Sequence, residues 1–130
     1  MQHTTNSELV QRAFKCYIDA FNRCDIIEIK RKINVDIEVQ CNGSISSQGR
    51  DTIIPYYESD FKIGKKVEVI RGPLIQDNGA TVDVVVTLVA TTPGIEVVQL
   101  DVVYRYDVDS MTQLCHIINN VKTLNSEPEK

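Results

Sequence analysis

The sequence predicts an α+β domain in which a strongly bent β-sheet, formed mainly by the second half of the chain, packs against helices of the first half. Ala80–Thr91 and Ile95–Tyr106 are rich in β-branched and aromatic residues, and only Thr92, Pro93 and Gly94 separate them, which is typical of a long β-hairpin. Each arm is about twice the usual strand length, so we expect the pair to twist and bend. In the first half, apolar residues recur at helical spacing behind helix-capping signals. A bent sheet has a hollow face, and the residues that fill it decide the function.

Composition limits the number of domains and the possible partners. A chain of 130 residues, of which 42% are hydrophobic, fits a single domain spanning 1–130 with an ordered core at about 7–124. The net charge of −4 argues against nucleic-acid binding, and the only basic cluster, Lys30–Lys32, is typical of a solvated helix end. No segment approaches the ~20 apolar residues of a membrane span, and the N-terminus lacks the pattern of a signal peptide. We therefore expect a soluble, cytoplasmic protein that binds neither nucleic acid nor membrane.

The cysteine pattern predicts free thiols. Cys16, Cys24, Cys41 and Cys115 form neither a CxxC pair nor a zinc-ligand pattern, which indicates a reducing compartment. A disulfide framework or a metal site is the alternative interpretation of the same four residues. We expect no metal and no cofactor.

The first helix is marked by a capping box of Thr5 and Glu8, with Ser7 as an alternative cap. Asn22-Arg23-Cys24 is expected to end it. The apolar residues in between recur at helical spacing over about four turns and predict the buried stripe, namely Leu9, Val10, Ala13, Phe14, Tyr17, Ile18 and Phe21.

Two shorter helices are expected after it. Asp25 and Glu28 form a second capping box. Asp51 caps a third predicted helix, Thr52–Phe61, and its Pro55 must lie within about the first turn, because a deeper proline would remove a hydrogen bond and clash. The apolar residues of the second helix are Ile26, Ile29 and Ile33.

The first strand shows the alternation of a strand with one buried face. Asn42-Gly43 is a hairpin-turn signal, and it leads into a short return strand, Ser44–Gln48. The positions predicted to point inward are Val35, Ile37, Val39 and Cys41.

Four strands in a meander complete the chain. Val67–Gln76 is interrupted by Gly72-Pro73, which predicts a bulge or an edge kink. Asp77-Asn78-Gly79 turns the chain into the long hairpin, and a last strand runs from about Thr112 to Leu124. Asn125–Lys130 is expected to fray.

Three segments carry a resemblance to a known superfamily. Tyr17–Asp25, YIDAFNRCD, resembles the end of a first helix where Asn-x-Gly-Asp is usual, and Gln48–Tyr57, QGRDTIIPYY, resembles the pattern G-R-x-x-I-x-x-F/Y-Y at the start of a third helix. Leu100–Asp107, LDVVYRYD, resembles the late strands of the same proteins. From about Leu9 to Leu124 the chain thus resembles the nuclear transport factor 2-like superfamily, which includes the ketosteroid isomerases and the SnoaL-type polyketide cyclases.

The resemblance implies a cone-shaped α+β fold, also called cystatin-like. A strongly curved mixed sheet wraps about three helices from the first half of the chain and leaves a deep pocket open at one end. Enzymes, transport factors and assembly domains share this fold, so the fold does not decide the function.

The resemblance also implies roles for residues near the start of the cone. In the ketosteroid isomerases a first-strand carboxylate is the base, and a tyrosine of the first helix donates a hydrogen bond to the oxyanion. Tyr17 falls at that tyrosine position, and the alternative is an ordinary aromatic on the apolar stripe. The first-strand position holds Gln40 or Cys41, and alternation favours Cys41. Neither is a carboxylate, so that mechanism does not carry over intact, and Cys41 is interpreted as core or pocket wall.

Asp101 resembles a late-strand aspartate that is protonated in the ketosteroid isomerases, but one extra residue separates it from Tyr104. Strict alternation places Asp101 with Arg105 on the outer face of the sheet, where relatives commonly dimerise. A β-bulge at Val102-Val103 would return Asp101 to the pocket.

His116 and Glu58 are the other candidates for proton transfer. His116 is grouped by alternation with Leu114 and Ile118, and an unperturbed pKa near 6.5 suits proton transfer at neutral pH. The alternative for His116 is a hydrogen-bonded core or interface histidine. Glu58 is a base only if it is turned into the cavity, since such residues at the end of a helix are usually solvated. His3 lies in a tail that we expect to be disordered.

These patterns together predict a small cofactor-independent isomerase or cyclase that acts by acid–base chemistry on a hydrophobic polycyclic substrate of polyketide, terpenoid or steroid type. Tyr17 would be the hydrogen-bond donor, and Asp101 or His116 the proton shuttle. The alternative is a non-catalytic, dimeric ligand carrier or protein-interaction module, which the missing first-strand carboxylate favours. The resemblance implies a homodimer in both cases. The residues expected to contact substrate are Phe21, Cys41, Tyr57, Glu58, Val102 and Tyr104.

Overall fold

Three helices lie against one face of a curved, open, six-stranded sheet in the computed structural model, which describes residues 5–126. The strand order is β2-β1-β6-β5-β4-β3; β1 and β6 run parallel, and the other neighbours are antiparallel. This arrangement confirms the predicted α+β fold class. The elements are α1 (Asn6–Asn22), α2 (Ile26–Lys32), β1 (Ile33–Cys41), β2 (Ser44–Gln48), α3 (Arg50–Lys62), β3 (Lys66–Asp77), β4 (Thr81–Thr92), β5 (Glu96–Asp107) and β6 (Thr112–Ser126).

Helix α1 begins at the predicted capping box. The Thr5 hydroxyl accepts from the backbone N–H of Glu8 at 3.1 Å, and the Glu8 carboxylate accepts from the N–H of Thr5 at 2.9 Å. Leu9 is 37% exposed and lies outside the buried stripe, contrary to the prediction. At the other end, the Asn22 amide both donates to and accepts from the backbone of Val67, at 2.8 Å each, and so attaches β3 to the helix.

The second capping box is only half formed. The Asp25 carboxylate accepts from the N–H of Glu28, but the N–H of Asp25 donates to the carbonyl of Ala20 and is not free for the Glu28 side chain. Ile33, predicted to be the last apolar residue of α2, is instead the first residue of β1.

Strand β1 interrupts the predicted alternation at its start. The side-chain oxygen Oδ1 of Asn34 accepts from the backbone N–H of Asp36, and its side-chain nitrogen Nδ2 donates to the hydroxyl of Thr112. This local turn leaves Val35 55% exposed, which corrects the prediction that it points inward, whereas Ile37 is fully buried.

Helix α3 begins earlier than predicted. Its N-cap is Gly49, which has no side chain to cap with, and Asp51 lies within the first turn. Pro55 is therefore the sixth helical residue, beyond the predicted first turn, and the Asp51 carbonyl does not receive the usual N–H from that position.

The long hairpin and the strands beside it have the predicted order. Strands β4 and β5 pair without a register shift from Thr81↔Asp107 to Thr92↔Glu96. The register of β3 shifts on both sides of Arg71, which confirms the irregularity predicted at Gly72-Pro73.

Strand β6 contains the bulges of the β5–β6 pairing. Its pairing with β5 shifts three times, and each shift adds one residue to β6. Asn125 and Ser126 belong to β6, although they were expected to fray; residues 127–130 and the predicted tail at His3 lie outside the described residues. No helix within 5–126 is long and apolar enough to span a membrane.

Candidate active site

A cavity of about 540 Å³ lies between the helices and the concave face of the sheet. Its wall is mostly apolar, as in many small-ligand pockets. The apolar side chains come from α1, α3 and five of the six strands and include Ile18, Phe21, Val39, Ile53, Val67, Leu88, Leu100, Val102 and Ile118.

Two buried tyrosine hydroxyls meet in this cavity. The hydroxyl oxygens of Tyr17 from α1 and Tyr57 from α3 are 2.7 Å apart. Burial raises the pKa of both phenols well above the usual value, so both keep their protons at neutral pH. A hydrogen bond between two hydroxyls uses only one of their two protons. The second proton is not used within this pair and can be donated to another oxygen atom.

His116 of β6 lines the same cavity and is neutral. Its ring packs edge-on against Tyr104, with ring centroids 4.8 Å apart, and its centroid lies 6.2 Å from that of the Tyr17 ring. Burial lowers the pKa of His116 to about 3, because the charged imidazolium would lose its hydration. A neutral imidazole keeps one nitrogen lone pair with which it accepts a proton.

The His116 ring is hydrogen-bonded to the buried side-chain amide of Gln113. Its Nε2 atom is 2.5 Å from the Oε1 atom of Gln113, and the Nε2 atom of Gln113 donates to the hydroxyl of Tyr106 at 2.8 Å. Gln113 and Tyr106 are both fully buried.

Charged residues line the cavity together with exposed positions of α3 and β2. Asp60 and Lys65 form an ion pair of 3.2 Å, and Tyr56, 62% exposed, lies nearby in the sequence of α3. Ser46 and Ser47 of β2 complete the polar part of the lining. The charges of Asp60 and Lys65 offset each other, so the lining as a whole carries no net charge.

Asp101 lies on the opposite face of the sheet. Its two carboxylate oxygens accept from the hydroxyl of Thr87 at 2.8 Å and from the amide of Asn120 at 2.7 Å. These hydrogen bonds lower the pKa of Asp101, so the carboxylate is ionised rather than protonated. The bulge considered at Val102-Val103 is absent from the β4–β5 pairing, and ordinary alternation holds.

The other candidate residues divide into two groups. Phe21, Tyr57, Val102 and Tyr104 line the cavity, together with Tyr17 and His116, and their contact with a substrate stays a prediction. Cys41 and Glu58 are not among the lining residues: Cys41 is the last residue of β1, and Glu58 is on the exposed side of α3.

Gln113 is the residue of this site that the sequence interpretation missed. Alternation groups His116 with Leu114, but a register shift between Arg105 and Tyr106 makes Leu114 the extra residue of a bulge. Gln113 and His116 consequently share one face of β6. The available signal was a glutamine within an apolar strand three residues before the histidine.

The described residues contain no group of three or more His, Cys, Asp or Glu side chains placed to hold a metal ion. All four cysteines lie in the described part of the chain and are free.

Burial of His116 predicts that the protein loses stability in mild acid. The unfolded chain binds a proton near pH 6.5, whereas the folded protein, with a His116 pKa of about 3, excludes it. The contribution of His116 to the free energy of unfolding should therefore level off above about pH 7 and fall by about 2 kcal/mol between pH 7 and pH 5. The titratable groups against the ring, Tyr17 and Tyr104, stay neutral throughout this range because burial raises the pKa of both.

Urea unfolding at pH 7 and at pH 5 measures this difference. His116→Asn should remove most of it, and an equal loss in both proteins would assign the acid sensitivity to other groups.

Comparisons with solved structures identify the fold. One of the most similar is an NTF-2-like protein of unknown function from Shewanella oneidensis, which superposes with a TM-score of 0.74 at 12% identity and covers 89% of this chain and 100% of that one. An LEH-like epoxide hydrolase from M. tuberculosis superposes with a TM-score of 0.66 at 20% identity, and the match covers 88% of this chain and 84% of that one. A proposed ketosteroid isomerase from Kribbella flavida superposes with a TM-score of 0.65 at 13% identity, and the match covers 97% of this chain and 87% of that one.

The chain therefore has the nuclear transport factor 2-like fold, as its sequence motifs predict. Neither a scan against protein-family models nor a sequence search of curated proteins finds a match. At these identities the likeness shows the fold alone.

Proposed function

We propose that the protein is a cofactor-independent isomerase or cyclase that acts by acid–base chemistry on a small, uncharged, hydrophobic carbonyl compound of polyketide, terpenoid or steroid type. One observation carries the proposal: the protonated Tyr17–Tyr57 hydroxyl pair and the neutral His116 imidazole line the same apolar cavity. A hydrogen-bond donor and a proton acceptor in an apolar cavity are the two groups that enolisation needs.

The proposed reaction begins with transfer of a proton from the carbon beside the substrate carbonyl to His116. The electron pair of that C–H bond forms the enolate, whose oxygen accepts a hydrogen bond from the Tyr17–Tyr57 pair. In an isomerisation, the imidazolium then returns the proton to a different carbon of the enolate. In a cyclisation, the enolate carbon instead attacks an electrophilic carbon of the same substrate, and the imidazolium protonates the oxygen released there.

A ligand carrier or protein-interaction module of the same fold is the second candidate, and the charges around the cavity favour it. Among the described residues, Asp60 is the one carboxylate that lines the cavity, and it is paired with Lys65. A His116 pKa of about 3 also makes the imidazole a weak base while the cavity is empty. The expected homodimer stays a prediction under both candidates, and light scattering tests it.

Incubation with β-tetralone, a bicyclic ketone with an acidic α-hydrogen, tests the proposed chemistry. In deuterated water we expect the protein to accelerate exchange of that hydrogen, followed by NMR, because formation and reversal of the enolate exchange it. The same ketone should raise the unfolding free energy by about 2.7 kcal/mol at a concentration a hundredfold above its Kd.

The two measurements separate the candidate functions. Stabilisation without exchange across a panel of polycyclic ketones would favour the ligand carrier. Neither effect across that panel would favour the protein-interaction module.

A further inference from the structure

Gln113 is a fully buried polar residue whose amide is bonded at both ends. A buried amide is costly unless its donors and acceptor find partners, so its place in a core needs an explanation. The bulge at Leu114 brings Gln113 to the face of β6 that carries His116. The three side chains Tyr106, Gln113 and His116 therefore form one buried chain of hydrogen bonds that ends at the cavity.

The two ends of the amide are chemically different. The nitrogen of Gln113 donates to the Tyr106 hydroxyl, and the oxygen, which only accepts, faces Nε2 of His116. Nε2 must then carry a hydrogen. Because burial keeps the ring neutral, the lone pair is on Nδ1.

We propose that Gln113 is a positioning residue that fixes His116 as the Nε2–H tautomer and so makes Nδ1 the proton-accepting atom. The catalytic half of this inference rests on the proposed function, whereas the tautomer is a property of the ligand-free protein.

The other groups around the ring do not fix its tautomer. Tyr17 from α1 and Tyr104 from β5 contact it through their rings, and Val39 from β1 pairs with it through the backbone. Both phenols are neutral because burial raises the pKa of each. Gln113 is thus the residue whose hydrogen bond selects the protonated nitrogen, in the same way that a second partner orients a metal-bound histidine.

NMR of the ¹⁵N-labelled imidazole tests the tautomer directly. The chain has two histidines, so a His3→Gln background leaves His116 as the single imidazole signal. We expect a protonated Nε2 and an unprotonated Nδ1 at neutral pH. A protonated Nδ1, which a rotated Gln113 amide would impose, overturns the proposal.

Gln113→Met keeps most of the side-chain volume and removes the amide. It should convert the single tautomer into a mixture and lower kcat for β-tetralone exchange by about tenfold to a hundredfold with little change in KM. An unchanged tautomer in this variant would also overturn the proposal.

Gln113→Glu is the second variant, because its carboxylate still accepts from Nε2–H. It should retain the Nε2–H tautomer and move both the His116 titration and the pH profile of exchange to higher pH, since a neighbouring negative charge favours the imidazolium. Gln76→Glu, which adds the same charge at an exposed position of β3, is the matched control and should move neither.

Failure of this inference and failure of the proposed function give different results. The predicted tautomer without exchange activity on any ketone would remove the catalytic function and leave the role of Gln113 in place. Exchange activity with a protonated Nδ1 would keep the function and remove the role.

Discussion

His116→Asn is expected to lower kcat for α-hydrogen exchange of β-tetralone by about 10²–10⁴-fold, the usual contribution of a positioned general base. Asparagine is polar, so it offers Gln113 a hydrogen-bond partner and leaves less buried polar surface without a partner than alanine would. The amide does not accept a proton at neutral pH, and the proposed first step is lost. Exchange rates measured by NMR under saturating ketone test this result.

Ligand binding provides the control for this variant. Because His116 is one of many residues in an apolar wall, the stabilisation by bound ketone should persist in His116→Asn. Unchanged exchange in a variant that still binds ketone would contradict the assignment of His116 as the base. Tyr17→Phe complements it, since loss of one oxyanion donor should cost about 10²–10³-fold in kcat.

Gly72→Ala is expected to be the most destabilising small substitution in the sheet. Gly72 has φ +89°, and a Cβ there would lie 2.6 Å from the backbone oxygen of Val85 and 3.1 Å from the backbone nitrogen of Leu74. Neither backbone atom moves without disturbing the β3–β4 pairing. We expect a loss of about 2–4 kcal/mol in the free energy of unfolding, the sum of backbone strain and overpacking.

Gly79→Ala is the matched control for the backbone strain. Gly79 has nearly the same φ, +91°, but a Cβ there would meet no atom within 4 Å. Its cost should be about 1 kcal/mol, the strain alone. Equal losses in the two variants, measured by urea unfolding, would show that contact with Val85 does not matter.

Local signals were sufficient for most of the fold. The Thr5–Glu8 capping box and the long hairpin depend on residues close together in sequence, and both are present in the structure. The wall of the cavity at Tyr17 and Tyr104 followed from a resemblance together with helical and strand spacing. Contacts within one helix or one hairpin can be predicted from the sequence because the geometry of that element determines which residues are neighbours.

The errors at Val35, Asp101 and Gln113 come from interactions between distant segments. Val35 is exposed because Asn34 bonds to Thr112 of a strand far along the chain. Asp101 stays outside the cavity, and Gln113 lies on the same face of β6 as His116, because the extra residues in the β5–β6 pairing belong to β6 rather than to β5. Alternation along one strand does not reveal which partner strand carries a bulge.

The tyrosines also make the cavity observable without a label. The chain has five tyrosines and no tryptophan. Four of them line the cavity, namely Tyr17, Tyr56, Tyr57 and Tyr104. The fifth, Tyr106, is linked to His116 through hydrogen bonds of the Gln113 amide. Nearly all of the protein's near-ultraviolet absorption and intrinsic fluorescence thus arises at the proposed binding site, so a colourless ligand that enters it changes the spectrum of the whole molecule.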